Sequence, residues 1–351
     1  MKYLWPFLVC MLVSLVVTPI FRWLANRFNI VDKPDKNGRK QHGRVVAYLG
    51  GLAIGVAFAI GVGWFSGQID KLTVLMVGLA WVMILGVMDD ILKMAAWQKF
   101  VGQVLVGLIL IAGGVGIETI PLPMDQTIDL LVWNVDIDLG FWQGTISLLQ
   151  SVFTMGWTLL LLNALNFLDG VDGLASGVSL IAFLMIFLLS LADYVNQPDI
   201  ALLAVMMVGA IVGFLPYNLP RATIFLGDSG SMMLGYMLAV LAILSGSKIA
   251  TLVLVLGLGL IDSLAVVFDR IKQGKRIWQA DRGHLHYKLI DAGWSDWWVI
   301  LMYFGISVVF GLVAVFVPSS LVKLIAWLIL LGYFVFVLFM GVRLYINKNK
   351  K

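Results

Sequence analysis

The sequence predicts an all-helical integral membrane protein, a polytopic bundle of about eleven transmembrane helices with its polar motifs gathered on one membrane face. Three observations carry this expectation. The 351 residues are 61% hydrophobic and only 13% charged, with a mean hydropathy of +0.98, whereas soluble domains carry about 25% charged residues. Apolar runs of the roughly 20 residues that a bilayer-spanning helix needs recur from end to end, and they are continuous rather than alternating, which favours helices over barrel strands. Finally, the cations are unevenly shared between the two sets of loops.

Taken in order, the apolar segments fall at about 3–24, 46–66, 72–89, 100–117, 145–163, 176–192, 199–216, 230–246, 249–268, 297–316 and 320–342. They leave no room for a separate soluble domain, so residues 1–351 read as one transmembrane domain. The first run is longer than the apolar stretch of a signal peptide and no small-residue cleavage pattern follows it, so it reads as a retained helix. Of the 24 Lys and Arg, all but Lys2, Lys71, Lys248 and Lys323 fall on one face. The positive-inside rule puts that face in the cytosol, with the C-terminus, and leaves the N-terminus outside. The long external connection is 118–144, acidic and with a hairpin-like alternation over 131–138; the corresponding cytosolic loop is 269–296. Cys10, the single cysteine, lies in the first span and reads as a buried apolar residue. The net charge of +4 arises in cytosolic loops rather than in a basic domain. It argues against nucleic acid as a partner and for membrane lipids or phosphorylated substrates.

The polar motifs all lie on the cytosolic side. Asp89 and Asp90 close the third span; adjacent carboxylates at a low-dielectric edge repel and call for a cation or a shared proton, although such a pair by itself equally describes solvated helix-end acids. Lys93 and Lys99 follow, able to balance the acids or to hold phosphate. Between Asn163 and Gly173 stand two amides and two acids, Asn163, Asn166, Asp169 and Asp172; polar groups at such depth mark functional sites. Asn163 and Asn166, three residues apart, share a helix face. Asp228, in Phe225-Leu-Gly-Asp-Ser-Gly230, falls at the start of the eighth span, where a carboxylate serves as an N-cap or as a ligand. Oxygen donors of this kind suit Mg²⁺, for which Mn²⁺ can substitute, far better than zinc. In Asp281-Arg-Gly-His-Leu-His286, Arg282, His284 and His286 suit phosphate. Asp262 is an acid inside the ninth span, read as pairing with a donor on a neighbouring helix. His42 reads as a surface residue of the basic stretch 22–44.

Together the motifs resemble the polyprenyl-phosphate N-acetylhexosamine-1-phosphate transferases, membrane enzymes that begin lipid-linked glycan synthesis. The likeness runs from Asp32-Lys-Pro34 through Gly50-Gly51, Asp89-Asp90, the Asn163–Ala175 stretch and Phe225-Leu-Gly-Asp-Ser-Gly230 to Asp281-Arg-Gly-His-Leu-His286. The branch that makes the peptidoglycan lipid precursor usually carries His-x-His-His-Phe-Glu in its last loop, whereas here Tyr287-Lys-Leu289 follows His286. The chain is more similar to the branch that transfers GlcNAc-1-phosphate to undecaprenyl phosphate, although that branch commonly has a second histidine where Tyr287 stands. The resemblance implies that Asp228 with Asn166 holds Mg²⁺. It implies that Asp89, assisted by Asp90, orients or deprotonates the lipid phosphate, and that Lys99 holds phosphate. Asp172, Asn218 and Phe225 would contact uracil, with Asn163 and Asp169 also on the substrate side, and Arg282, His284 and His286 would bind pyrophosphate or sugar. The implied partners are a UDP-N-acetylhexosamine and undecaprenyl phosphate in a bacterial inner membrane, with a lipid-facing surface that admits a homodimer. Alternatives are the same chemistry on UDP-MurNAc-pentapeptide or another UDP-sugar, and, from another class, a transporter of phosphorylated substrates.

Overall fold

In the computed structural model every predicted apolar segment forms a helix, because long uninterrupted apolar stretches satisfy their backbone groups internally only in that way. The structure describes residues 1–33, 45–121, 126–138, 143–246, 249–275, 283–317 and 319–348. In chain order the helices are α1 (Leu4–Arg27), α2 (Gly50–Phe65), α3 (Leu72–Leu92), α4 (Ala96–Ala112), α5 (Leu148–Leu168), α6 (Leu174–Leu191), α7 (Pro198–Asn218), α8 (Gly227–Leu244), α9 (Ile249–Val255), α10 (Gly257–Lys272), α11 (Leu285–Asp291), α12 (Asp296–Phe316) and α13 (Ser320–Lys348). Six short strands accompany them: β1 (Val31–Asp32), β2 (Val46–Ala47), β3 (Thr119–Pro121), β4 (Thr127–Asp129), β5 (Asn134–Asp138) and β6 (Gln143–Ser147).

The expectation of about eleven spans meets a narrower result. Among the described residues eight helices are long and apolar enough to cross a membrane, or nine if the bent pair α9–α10 counts as one. The second and fourth predicted spans fall on α2, of 16 residues, and α4, of 17. At the helical rise these are about 24–26 Å long, short of a hydrocarbon core of roughly 30 Å. Hydropathy overstated them because the apolar flanks do something else. Val46 and Ala47 form β2, paired antiparallel with β1 and bridged through Ala47 to Ile224, and the glycines after α4 end it, Gly114 with φ +66°. The ninth predicted span is broken at Leu256, where α9 and α10 meet at 80°. Glycines at 257 and 259 follow the break, residues with little intrinsic preference for helix.

The external connection forms two hairpins, β3 with β4 and β5 with β6. The alternation expected over 131–138 becomes β5, and its partner β6 runs directly into α5.

α8 is the central element. Nearly all of its side chains are buried, and α2, α3 and α5 close on it through glycines, as helices do in lipid where small residues let backbones approach. A Cβ on Gly51 would lie 2.2 Å from Gly230 Cα, one on Gly86 2.2 Å from Ser229 Cα, and one on Gly235 2.5 Å from the Leu161 carbonyl oxygen. Tyr236, fully buried, donates to the Leu75 carbonyl (3.0 Å) across the α3–α8 contact. Elsewhere Gly209 and Gly213, one turn apart on α7, admit the α1 backbone at Phe7 and Met11.

Gly51→Ala and Gly86→Ala each thrust a methyl into backbone rather than into a yielding side chain. Overpacking of that kind costs about 1–3 kcal/mol, so both variants are expected to unfold at lower temperature than wild type in detergent. Gly156→Ala, at an exposed α5 position with nothing within 4 Å of the added carbon, is expected to leave the midpoint unchanged or slightly raised.

Candidate active site at the start of α8

α8 begins in a cluster of acids, and the local sequence explains how. Gly227 takes φ +75°, and a Cβ there would come within 2.8 Å of Asp90 Oδ2, so only glycine fits. The turn aims the first α8 amides at the end of α3. Asp90 accepts the Asp228 N–H (2.9 Å) and, on its other oxygen, the Ser229 N–H (3.2 Å) and hydroxyl (2.8 Å). It therefore caps α8 from another helix, satisfying donors that a helix start leaves open and placing a negative charge at the positive end of the helix dipole.

Its neighbour Asp89 points elsewhere. One oxygen accepts the Met94 N–H (2.9 Å) and the other meets the Lys99 ammonium at 2.9 Å. Lys99, near the start of α4, also reaches Asp228 Oδ1 (2.8 Å) and the Asn166 side-chain oxygen Oδ1 (3.3 Å). The Asn166 amide nitrogen donates to the same Asp228 oxygen and to Ser231 Oγ (3.0 Å). A single ammonium thus joins two carboxylates and an amide carried by α3, α5 and α8.

Asp169, the residue after α5, accepts from the Gly227 backbone. Burial first, and then the charges of Asp228, Asp90 and Asp172, hold its carboxyl well above the usual carboxylate range. Asp172 accepts the Ala222 N–H (3.0 Å), tying the α5–α6 turn to the loop before α8.

The other expected residues are placed as follows. Asn163, one turn from Asn166, exchanges hydrogen bonds with Gln103 of α4 (2.9 and 3.3 Å) and donates to the Leu159 carbonyl, so it joins α4 to α5 below the cluster. Asn218 is 1% exposed; it accepts from Ser176 Oγ (2.7 Å) and donates to the Ile224 carbonyl (3.2 Å), bracing the loop that carries Phe225. Phe225 is half-buried, its ring 6.0 Å from that of Tyr48, and its backbone bonds to Ala47 and Gly50. His286 and Tyr287 press on the turn after α5, where a Cβ on Gly170 would meet Tyr287 Oη at 2.5 Å and His286 Nε2 at 2.6 Å. The ring of His284 lies 5.0 Å from that of Phe167, next to Asn166. Arg282 and Asp281 lie outside the described residues, as does His42.

Two participants escaped the sequence reading. Tyr48 sits between Phe225 and Lys93, whose ammonium lies 4.2 Å from the ring centre, and hydrogen bonds with Asp32; burial and that carboxylate push its phenol up. The signal was its place two residues before Gly50-Gly51. Gln103, 1% exposed in α4, was visible as an amide within a span.

The donor set can be tested against a divalent cation. Asp228, Asp89 and the Asn166 side-chain oxygen are hard oxygen donors, the type that Mg²⁺ takes alongside phosphate and water. In the structure they share the Lys99 ammonium, and among the described residues no group of three His, Cys, Asp or Glu side chains is placed to hold a metal ion.

The raised carboxyl of Asp169 has a pH consequence. In the folded state it holds its proton to higher pH than in the unfolded chain, so its contribution to stability falls as pH rises above an unfolded value of about 4. Asp169→Asn, which keeps an acceptor for the Gly227 N–H, is expected to raise the thermal midpoint of the metal-free protein at neutral pH. The gain should shrink towards zero near pH 4, which melts across a pH series would reveal.

Comparison with known proteins finds relatives over most of the chain. The model of glycosyl transferase family 4 matches residues 72–246, from α3 through α8. A probable undecaprenyl-phosphate N-acetylglucosaminyl 1-phosphate transferase of Bacillus subtilis is 29% identical over 345 residues, covering 96% of this chain and 89% of that one. A decaprenyl-phosphate N-acetylglucosaminephosphotransferase of Mycobacterium tuberculosis is 30% identical over 352 residues, with 90% and 81% covered. A phospho-N-acetylmuramoyl-pentapeptide-transferase of Listeria monocytogenes is 31% identical over 294 residues, with 80% and 84% covered. A chain of many membrane helices, with acids, amides and a lysine converging at the start of α8 and relatives matched over most of their length, belongs to glycosyl transferase family 4.

Proposed function

We propose that the protein transfers N-acetylglucosamine-1-phosphate from UDP-GlcNAc to undecaprenyl phosphate, giving undecaprenyl-diphosphate-GlcNAc and UMP. The observation that carries this reading is the Lys99 ammonium held between Asp89, Asp228 and Asn166. A cation among hard oxygen donors at a helix start is an arrangement that phosphoryl transfer uses, since that chemistry is largely positioning and charge stabilisation. The names of the Bacillus and Mycobacterium relatives support the donor and the lipid acceptor; the Listeria relative supports UDP-MurNAc-pentapeptide as the second choice.

In this reading an oxygen of the lipid phosphate attacks the β-phosphorus of the nucleotide sugar. The new phosphorus–oxygen bond forms as the bond from the β-phosphorus to the bridging oxygen breaks, and UMP leaves with that oxygen. Asp228, Asn166 and Asp89 are the residues that would hold Mg²⁺, which when bound would withdraw charge from the diphosphate. Asp89 orients the lipid phosphate, whose second ionisation near a pKa of about 6 makes it largely a dianion at neutral pH. Lys99 neutralises the oxygens on which charge grows. Asp90 acts by fixing the start of α8 and hence Asp228, not by touching substrate. Phe225 with Tyr48 offers an aromatic surface for the uracil ring, and Asp172 and Asn218 hold the loop that carries it. His284 and His286, with Arg282, bind the phosphates or sugar.

The same reading places the cluster on the cytosolic face of a bacterial inner membrane, with the N-terminus outside and the C-terminus inside. α2, α4 and the bent α9–α10 pair would complete eleven crossings. A transporter is disfavoured because its site would sit near the bilayer midplane, whereas these residues gather at helix ends.

Purified protein given UDP-GlcNAc, undecaprenyl phosphate and Mg²⁺ is expected to release UMP and form an extractable glycolipid, with Asp228→Ala silent and EDTA abolishing turnover. Release of UMP only with another UDP-sugar would change the donor and keep the chemistry. No UMP with any donor would sink the transferase reading. Lys99→Met is expected to lower kcat by about 100-fold or more, the size of effect seen when one preorganised charge-stabilising donor is removed. A loss confined to KM would instead assign Lys99 to uniform substrate binding.

A further inference from the structure

Asp262 has no place in the scheme above, yet it is the acid set deepest in the apolar part of α10, 3% exposed. Both of its oxygens are engaged with the last cytosolic loop. Oδ2 lies 3.0 Å from His284 Nδ1, and Oδ1 accepts the Leu285 N–H at 2.8 Å. Leu285 is the first residue of α11 and His284 its N-cap, with no cap bond from the His284 side chain itself. The carboxylate therefore does two things at once: it starts α11 and it grips the ring of the residue before it.

The ring is constrained on its other sides. It lies parallel to His286, 5.6 Å between centres and 5° between planes, and beside Phe167 at 5.0 Å. A carboxylate only accepts, so Nδ1 must be the donor in this contact, which fixes the proton on that nitrogen and leaves Nε2 as the atom available for other chemistry. Phe167 follows Asn166 in the last turn of α5, so the gripped ring packs on the end of the helix that also carries Asn166.

We infer that Asp262 is a positioning residue: it holds His284 in the Nδ1–H form and anchors the start of α11, so that the lone pair on Nε2 of His284 is presented to a hydroxyl or amide N–H of the nucleotide sugar. The part of this that concerns the nucleotide sugar rests on the transferase reading; the Asp262–His284 link does not. The link accounts for an acid within a membrane helix, a costly placement unless its charge is matched by donors. It also ties the start of α11 directly to α10.

Two measurements on the full-length protein in nanodiscs test it. With ¹⁵N-histidine label, wild type should show His284 protonated at Nδ1, and Asp262→Asn should lose that signature. Persistence of the same tautomer in Asp262→Asn would overturn the inference, whatever reaction the protein performs. A double-mutant cycle on UMP release then reads the functional half. Asp262→Asn is expected to lower kcat/KM by about 10–100-fold, the range found when the partner that orients a functional histidine is removed. The double variant with His284→Gln should be no worse than His284→Gln alone, and Asp262→Glu should recover part of the loss. Additive losses would overturn the functional half by showing that Asp262 acts independently of His284. If wild type releases no UMP while the tautomer behaves as stated, the transferase reading fails and the link stands.

Discussion

The whole arrangement depends on burying the N-terminus of α8 among carboxylates. A helix start presents unpaired N–H groups and a partial positive charge, and in this bundle it lies where little water can serve it. Asp90 answers the amides of Asp228 and Ser229, and Asp169 answers Gly227. This concentration of negative charge would repel itself without a cation, and Lys99 supplies one by bridging Asp89 and Asp228. Each group is tolerable at this depth only because the others are present. Stability and geometry are therefore hard to separate here: the interactions that let the acids stay buried are those that gather Asp89, Asp228 and Asn166 around the Lys99 ammonium.

Close approach of backbones makes that concentration feasible. Gly51 and Gly86 bring α2 and α3 against the first turn of α8, and Gly235 does the same for α5. Larger residues there would separate the helices by more than a hydrogen bond can span. The site is thus built by four helices and one turn rather than by a loop reaching over a scaffold. The exception is the His-bearing segment, which is tied to α10 through Asp262 and to the turn after α5 through the contact of His286 and Tyr287 with Gly170.

Adjacent or near-adjacent residues with the same chemistry take different roles. Asp89 meets Lys99 while Asp90 caps α8; Asn166 meets Asp228 while Asn163 pairs with Gln103. The i, i+3 spacing rightly put the two amides on one face of α5. One turn of rise then separates them along the axis, which is enough to give one to the acid cluster and the other to the α4 contact. The short β1–β2 pair is a comparable case: apolar residues at 46 and 47 look like the start of a span but form a strand beside Ile224.

By itself the sequence determined the class of protein, the order of its helices and the identity of most of the residues in the cluster. Hydropathy sums along the chain, and the topology expected from it brings the polar motifs to one face. Only the tertiary structure decided which of two neighbouring acids or amides meets which partner, that α2 and α4 are shorter helices than hydropathy predicts, and that Asp262 holds His284. Those outcomes turn on distances of a few ångströms between helices remote in sequence, such as the 2.8 Å from Lys99 to Asp228 across 129 residues. A pattern that repeats along one helix carries no information about how its neighbours are rotated against it.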